Sequence, residues 1–368
     1  MSAGLSISFF GSSLVSAYWN GAATYYRGLI RALAERGHSI TFYEPDAFER
    51  QQHRDIADPP WANVVVYSAD DPGVIDRLMT DAQGSDVIVK ASGVGVFDAE
   101  LEAAVANLRG SRRLVVFWDV DAPATLDRLR TNAQDPFRAL VPAYDLILTY
   151  GGGTPVTDAY TMFGARTCVP IYNALDPDTH HPVPVDARFE TDLAFIGNRL
   201  PDREARVDEF FLQPAASLPA RRFLLGGSGW HDREMPRNVR YVGHVYTRDH
   251  NAVNATALAV LNINRDSMAR MGFSPPTRLF EAAGAGGCLI TDAWDGIQQF
   301  LEPGREVLVA ENGAAVADLV SGLTRGRARS IGEAARARLL SEHTYAHRAE
   351  EVEAVLLGRR HPHLGVAS

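Results

Sequence analysis

The sequence predicts an α/β protein of two domains, each a largely parallel sheet with helices on its faces. Its 368 residues exceed what one hydrophobic core commonly supports. Short apolar, β-branched segments alternate with helical ones through both halves. A segment rich in proline and histidine, residues 168–190, interrupts the alternation once and lacks helical periodicity. We interpret that interruption as the connection between the domains.

Composition excludes several classes of protein. Hydrophobic residues make up 46% of the chain and charged residues 22%, as in ordinary globular proteins. The net charge of −9 predicts no nucleic-acid partner. Cys168 and Cys288 lie far apart without metal-binding spacing, which disfavours a disulfide framework or zinc site and suits a reducing cytoplasm. We expect no signal peptide and no transmembrane segment, since the apolar stretches are strand-sized.

The first half opens as strand, helix and strand. The predicted strand at 5–11 is followed by a helix at 24–37 and a strand from His38; further strands are predicted at 63–68, 86–92, 113–119 and 144–151. The loop after the first strand contains Asn20, Gly21 and Ala22. Ligands bind at the carboxyl ends of strands in open sheets, so these residues are candidates for ligand contact. A plain strand-to-helix connection is the alternative, but this loop is long for one.

Two carboxylates follow the buried strand at 113–119. Asp119 and Asp121 stand at its carboxyl end, ahead of Pro123 and a predicted helix. That position suits a general base or a group that binds hydroxyls. The competing interpretation is structural: Asp121 caps the next helix, with Pro123 in its first turn.

The second half repeats the pattern. Strands are predicted at 192–198, 221–230, 239–245, 257–265, 288–292 and 305–312, and helices at 204–212, 314–324 and 330–341. The first two strands end in glycine turns at Gly197, followed by Asn198 and Arg199, and at Gly227. The turn GGSG lacks the GxGxxG pattern, so the sequence does not support a dinucleotide site.

The stretch Met271–Asp292, MGFSPPTRLFEAAGAGGCLITD, carries the strongest local signal. Ser274 is predicted as an N-cap before Pro275, and the helix is predicted to end at Gly286 or Gly287. A helix N-terminus suits a phosphate, and Thr277 and Glu281 share one helical face, from which a carboxylate could reach ribose hydroxyls. An ordinary surface ion pair of Arg278 with Glu281 is the alternative.

These motifs together resemble the glycosyltransferases of the GT-B fold, and among them the CgeB type, named for a spore-maturation protein. The matching pieces span most of the chain: NGAATYYRGLIRALAERGH, WDVDAP, YDLILTYG, DLAFIGNR, RLFEAAGAGGCLITD, PGREVLV and HTYAHR. The resemblance implies two Rossmann-like domains facing across a cleft, with a C-terminal helix returning to the first. On this basis we assign residues 1–172 to an acceptor-side domain, 173–343 to a donor domain, and 344–368 to the returning helix and tail.

The resemblance also implies a function. A nucleotide sugar would bind mainly to the second domain and a hydroxyl acceptor, small molecule or glycan, to the first, with Asn20, Gly21 and Ala22 beside the acceptor or donor sugar. Glu281 matches the glutamate that bonds the donor ribose in related retaining enzymes. Their second glutamate, eight positions earlier, is Phe273 here, so the resemblance fixes neither the donor sugar nor a retaining outcome. Asp121, with Asp119 as reserve, favours an inverting displacement in which a base deprotonates the acceptor.

The leaving diphosphate develops negative charge, which positive or hydrogen-bond-donating groups must stabilise. The candidates that the sequence offers are side chains and backbone N–H groups of the protein. We expect it to contact the donor-side residues already named together with one further arginine: Gly197, Asn198, Arg199, Gly227, Arg265, Ser274, Thr277 and Arg278. Asp119-Val120-Asp121 could mimic a metal-binding DxD, but the doubled α/β pattern disfavours it. The adjacent His180 and His181 point differently and are a poor chelating pair. We therefore expect neither metal nor cofactor.

Other classes of function remain open from the sequence. A nucleotide-sugar epimerase would share the Glu281 region, and so would a non-catalytic protein that binds nucleotide sugars or glycans. A phosphorylase is disfavoured because Lys90 is the only lysine and lies outside the second domain. An oxidoreductase is disfavoured because the dinucleotide fingerprint is absent.

Overall fold

The computed structural model describes residues 4–358, which form two compact units. The first runs to Tyr172 and resumes at Tyr345; the second is Asn173–Thr344. Each unit is built on one fully parallel sheet, of seven strands in the first and six in the second. The predicted fold class is therefore confirmed. No helix within 4–358 is both long and apolar enough to cross a membrane.

The first unit has the strand order β3-β2-β1-β4-β5-β6-β7. Its strands are β1 (Ser6–Phe10), β2 (Ser39–Asp46), β3 (Asn63–Ser68), β4 (Val87–Ala91), β5 (Leu114–Asp119), β6 (Leu146–Thr149) and β7 (Cys168–Pro170). Its helices before residue 172 are α1 (Ala23–Glu35), α2 (Val74–Ala82), α3 (Asp98–Asn107), α4 (Ala122–Thr131), α5 (Phe137–Leu140) and α6 (Gly153–Met162). The chain order reverses between β1 and β4, so a crevice opens at the carboxyl edge there.

Apolar patterning explains these elements. Strand β4 is buried along its whole length, as expected for an apolar run inside a parallel sheet. Helix α1 buries an apolar stripe that contains Leu29, Ile30 and Leu33. Strand β7 lies inside the segment that the sequence assigns to the interdomain connection, so the irregular part begins only after Pro170.

The second unit has the strand order β10-β9-β8-β11-β12-β13. Its strands are β8 (Leu193–Ile196), β9 (Phe223–Gly226), β10 (Val239–Tyr241), β11 (Ala259–Asn262), β12 (Leu289–Asp292) and β13 (Leu308–Ala310). Its helices are α7 (Pro201–Val207), α8 (Gln213–Ser217), α9 (Thr247–Thr256), α10 (Asp266–Met271), α11 (Thr277–Gly284), α12 (Gly313–Gly322) and α13 (Arg325–Glu342). One π-helical turn, Asp208–Leu212, joins α7 to α8.

The last described helix, α14 (Tyr345–Leu356), packs on α1 and so completes the first unit. Arg36 binds both Glu350 and Glu353 of this helix, at 3.2 and 2.6 Å. Residues 359–368 of the predicted tail lie outside the described range.

Helix α11 begins later than the sequence predicts. Its first residue is Thr277, and Pro276 occupies the N-cap in an extended conformation. Ser274 does not cap the helix, because its hydroxyl donates to the carbonyl of Gly272 and its side chain is buried. The other end is close to the prediction: Gly286 is left-handed, and Gly286 and Gly287 donate to Ala283 and Ala282, which closes a Schellman motif.

Helix α13 crosses that helix end at Gly332. A Cβ there would stand 2.1 Å from the carbonyl oxygen of Gly286, a backbone atom that cannot move aside locally. We expect Gly332→Ala to lower the free energy of unfolding by about 1–3 kcal/mol, the usual cost of overpacking. Gly326→Ala, at an open position of the same helix, is the control and should be neutral or slightly stabilising. Equal denaturation midpoints for the two variants would contradict this packing.

Candidate functional site

The carboxyl edge of the second sheet gathers most of the predicted donor-side residues. Strands β8 and β11 are neighbours, and the chain order reverses between them. The loops after these strands, which contain Gly197–Arg199 and Arg265, therefore flank the crevice where open parallel sheets bind ligands. Strand β12 ends beside them at Asp292.

The glycines at this edge serve close backbone packing. Gly197 donates its N–H to Gly226 and accepts from the indole of Trp230, and a Cβ on Gly227 would stand 2.1 Å from the Gly197 carbonyl. Asn198 accepts from the amide of Ser228. The sequence-based expectation that the Gly197 N–H contacts a diphosphate is wrong for this conformation, because that N–H already has a partner.

Two of the predicted arginines are held by carboxylates. Arg199 binds Glu204 at 2.6 Å and Asp232 at 2.8 Å. The Nε of Arg265 binds Asp202 at 2.6 Å. Their charges are therefore largely compensated within the unit.

Arg203, which lies on α7 and was not among the predicted residues, differs from these two arginines because no carboxylate of the described residues pairs with it. Its Nε is buried and has no hydrogen-bond partner in the described part of the chain, and its guanidinium lies against Gly197. Burial lowers the pKa of Arg203; Asp202 opposes that shift, and the guanidiniums of Arg265 and Arg278 add to it. A cation in this position is stabilised by an anion, and a diphosphate between these arginines fits that requirement.

Glu281 lies one turn inside α11, with its side chain 10% exposed. Arg278 stands 3.1 Å from its carboxylate. Burial raises the pKa of Glu281, but Arg278, followed by His250 and His180, outweighs burial, so the pKa is lowered and the group is ionised. The ion pair that the sequence suggested on the surface is thus mostly buried. The carboxylate presents acceptors for hydroxyl donors.

His180 and His250 flank the same carboxylate at 3.9 Å each, a pairing that the sequence did not predict. Their ligand atoms and that of Glu281 lie within 4.8 Å of one another, so a small cation could be held there. Burial lowers the pKa of both imidazoles, that of His250 to about 4, and Glu281 opposes this shift in each. The guanidinium of Arg278 already compensates Glu281, and it would repel a second cation.

In the first unit, Asp119 is fully enclosed. Its carboxylate accepts from Tyr160 at 2.5 Å, Ser92 at 2.7 Å, Thr125 at 3.0 Å and the amide of Asp121 at 3.1 Å. Burial raises its pKa, while hydrogen bonds from Tyr160 and Ser92 oppose that rise. An enclosed carboxylate cannot touch an acceptor, so this position argues against the reserve-base role and assigns Asp119 to holding the turn after β5.

Asp121 occupies the N-cap position of α4 and is partly exposed. Its backbone carbonyl accepts from Thr125, but its side chain makes no capping hydrogen bond. The structural alternative therefore accounts for the backbone at this position, where the N-cap role does not extend to the side chain.

The loop after β1 is held by Asn20. Its amide accepts from Ser12 and donates to the carbonyls of Ser13 and Ser16, so its side chain is used internally. Gly21 is exposed with open space around it, and Ala22 precedes α1. Only Gly21 and Ala22 of this predicted set offer backbone that a ligand could approach.

Comparison with known proteins assigns this frame to a class. A family model described as glycosyl transferase-like matches residues 203–354, which span most of the second unit and most of α14. The predicted enzyme class, a glycosyltransferase, is thereby confirmed; the CgeB type stays a prediction. A search of curated proteins found no match.

Solved structures with the same fold include glycosyltransferases from several sources. HepE of Anabaena, in complex with UDP and glucose, is 14% identical with a TM-score of 0.70, and the match covers 96% of this chain and all of HepE. Sucrose-phosphate synthase of Thermosynechococcus elongatus is 14% identical with a TM-score of 0.68, and the match covers 96% of this chain and 98% of the synthase. BGT of phage T4, in complex with its UDP-glucose substrate, is 12% identical with a TM-score of 0.58, and the match covers 96% of this chain and 99% of BGT. The fold is that of the GT-B glycosyltransferases.

Two parts of this site depend on packing that the local sequence does not reveal: the position of Arg203 and the pairing of His180 with His250. Arg203 follows Gly197 by six positions and lies in the first turns of α7, so only its place on that helix brings it against the glycine. Nothing in the sequence pairs His180 with His250, which are seventy positions apart and meet only through the fold.

Proposed function

We propose that the chain transfers a sugar from a nucleoside-diphosphate donor to an acceptor hydroxyl, with the second unit binding the donor. The observation that carries the proposal is the unpaired guanidinium of Arg203 beside Arg265 and Arg278 at the switch point of the sheet. A leaving diphosphate would complete this cluster and gain stabilisation as its charge develops. Because HepE and BGT were solved with UDP or UDP-glucose, a UDP-sugar is the first donor to test.

Arginine, rather than metal, stabilises the leaving group in this proposal. Arg203, which has no salt bridge within residues 4–358, supplies the positive charge, and the three guanidiniums together supply several N–H donors in a fork that suits phosphate oxygens. The one His/Glu cluster among residues 4–358 that could hold a cation contains Glu281, which is already paired with Arg278. The two free cysteines accord with a cytoplasmic enzyme.

Acid–base chemistry falls to Asp121 in this proposal. Its partly exposed side chain follows β5 at the carboxyl edge of the first sheet. A carboxylate base suits an inverting displacement. The presence of this carboxylate favours an enzyme over a binding protein that retains only the fold.

Glu281 tests the donor assignment. Because its ionised carboxylate would accept from ribose hydroxyls, Glu281→Gln should weaken UDP binding by about 1.5–3 kcal/mol, or roughly 10–150-fold in Kd. Isothermal titration calorimetry measures the change. Glu333→Gln, exposed on α13, is the matched control and should bind as the wild type does. An unchanged Kd in Glu281→Gln would remove the ribose assignment while leaving the diphosphate assignment standing.

A further inference from the structure

Four aromatic residues adopt a backbone conformation that L-amino acids rarely take. Within residues 4–358 the non-glycine residues with positive φ are Trp19, Phe48, Glu49, Phe97 and Phe273. Such a conformation is strained, and it persists where surrounding structure enforces it, commonly at ligand sites. Three of the aromatic residues, Trp19, Phe48 and Phe97, are in the first unit.

Those three residues follow three adjacent strands. Trp19 comes after β1, Phe48 after β2 and Phe97 after β4, and the sheet order is β2-β1-β4. Parallel strands end at one edge, so the three loops share the carboxyl edge of the first sheet.

Hydrogen bonds join these loops into one body. The hydroxyl of Ser16 donates to the carbonyl of His53 at 2.7 Å. Arg50 donates to the carbonyls of Ser12 at 3.2 Å and Val94 at 3.5 Å, and so bridges all three loops. The loops are therefore fixed in shape and present their side chains in a set arrangement.

The side chains presented are large, apolar and exposed. Trp19 is 66% exposed, Phe48 54% and Tyr18 37%. Tyr18 stacks on His53 with ring centroids 4.1 Å apart and meets the edge of Trp19 at 6.4 Å. A fold that maintains backbone strain to expose aromatic faces would recover that cost by binding a ring. We name Tyr18, Trp19 and Phe48 the aromatic platform.

We propose that the aromatic platform binds a ring of the acceptor, and that the acceptor is a glycoside of at least two rings. This inference rests on the proposed function, because it assigns the acceptor of that reaction. Asp121 follows β5, which is two strands from β1 in the order β1-β4-β5. Two strand spacings are roughly 9–10 Å, more than one sugar ring spans. One ring rests on the platform while the hydroxyl of a second ring reaches Asp121.

The reaction balances without a further reactant. The acceptor oxygen forms a bond to the anomeric carbon of the donor, and the bond from that carbon to the diphosphate oxygen breaks. Asp121 takes the hydroxyl proton, and UDP leaves with the electron pair of the broken bond.

The test compares two-ring and one-ring probes in the full chain with saturating UDP. The probes are 4-nitrophenyl β-D-glucopyranoside, maltose and glucose, and binding is followed by tryptophan fluorescence and calorimetry. At least one two-ring probe should bind tenfold more tightly than glucose. A preference for the nitrophenyl glycoside identifies an aryl ring on the platform, and a preference for maltose identifies a sugar ring.

Variants of Trp19 separate binding from folding. Trp19→Gly, which suits the positive φ, should keep or raise Tm and keep UDP affinity, yet weaken the two-ring probe at least tenfold. Trp19→Phe should retain most of the affinity. Tyr246→Ala, an exposed aromatic of the second unit, should bind both ligands as the wild type does.

Two outcomes overturn the platform. One is saturable UDP binding with neither two-ring probe bound more tightly than glucose. The other is two-ring binding that Trp19→Gly leaves unchanged. Failure of UDP, GDP, dTDP and ADP alike to bind would instead remove the proposed function.

Discussion

Replacing Asp121 by asparagine should leave the protein folded and able to bind UDP while reducing sugar transfer by at least about a hundredfold. A positioned carboxylate base contributes roughly 10²–10⁴-fold, because an acceptor hydroxyl is a poor nucleophile at neutral pH. Asparagine occupies an N-cap as well as aspartate does, so any structural role would survive the change. The loss should therefore appear in kcat and kcat/KM and not in Tm.

Two further variants serve as comparisons for Asp121→Asn, one as a control and one as an example of a structural loss. Asp127→Asn lies on an exposed face of the same helix, α4, and should behave as the wild type does. Asp119→Asn removes the buried acceptor of four hydrogen bonds and should lower Tm as well as activity. If Asp121→Asn turned over at a rate close to that of Asp127→Asn, Asp121 would not be the general base.

Replacing Arg203 by alanine should weaken UDP binding by at least a hundredfold. Its guanidinium can donate two bonds to diphosphate oxygens, each worth about 1.5–3 kcal/mol when charge assists, or roughly 3–6 kcal/mol together. Without ligand, however, Arg203 is a partly buried charge that makes no salt bridge within residues 4–358, where Asp202 and Asp292 attract it while Arg265 and Arg278 repel it. Removing it should leave the free energy of unfolding unchanged or raise it.

Arg203→Ala is therefore expected to weaken UDP binding without lowering the free energy of unfolding, and this combination makes the test specific. A merely structural arginine would lower stability when removed, whereas a residue kept for an anion lowers only binding. Arg329→Ala, exposed on α13, is the control and should change neither quantity by more than about 0.5 kcal/mol. Loss of stability with unchanged UDP affinity in Arg203→Ala would assign it to the fold.

The fold was predictable because its signals are local and repeated. Buried strands such as β4 and β5 appear as apolar runs, and α1 shows its stripe at Leu29, Ile30 and Leu33. The start of α11 was not predictable from capping preferences, since the hydroxyl of Ser274 has a competing acceptor in the carbonyl of Gly272. Whether such a side chain caps a helix depends on neighbours that the local sequence does not reveal.

The site was predictable in position more than in chemistry. Strand ends identified Gly197, Arg265 and Asp121 as residues at the two carboxyl edges. They did not show that the Gly197 N–H is already bonded, or that Asp119 is enclosed while Asp121, two residues on, is partly exposed. Those differences arise from packing between distant segments, as in the contact of Tyr160 with Asp119.

The central claim is that the second unit binds a nucleoside diphosphate through arginine and without metal. Calorimetric titration with UDP, GDP, dTDP and ADP, in EDTA and again in excess Mg²⁺, tests it most directly. We predict saturable binding of at least one diphosphate, UDP first, with the same Kd in both buffers. At a hundredfold excess over Kd that ligand should also stabilise the protein by about 2.7 kcal/mol. Binding that appears only with Mg²⁺, or no binding of any of the four, would contradict the claim.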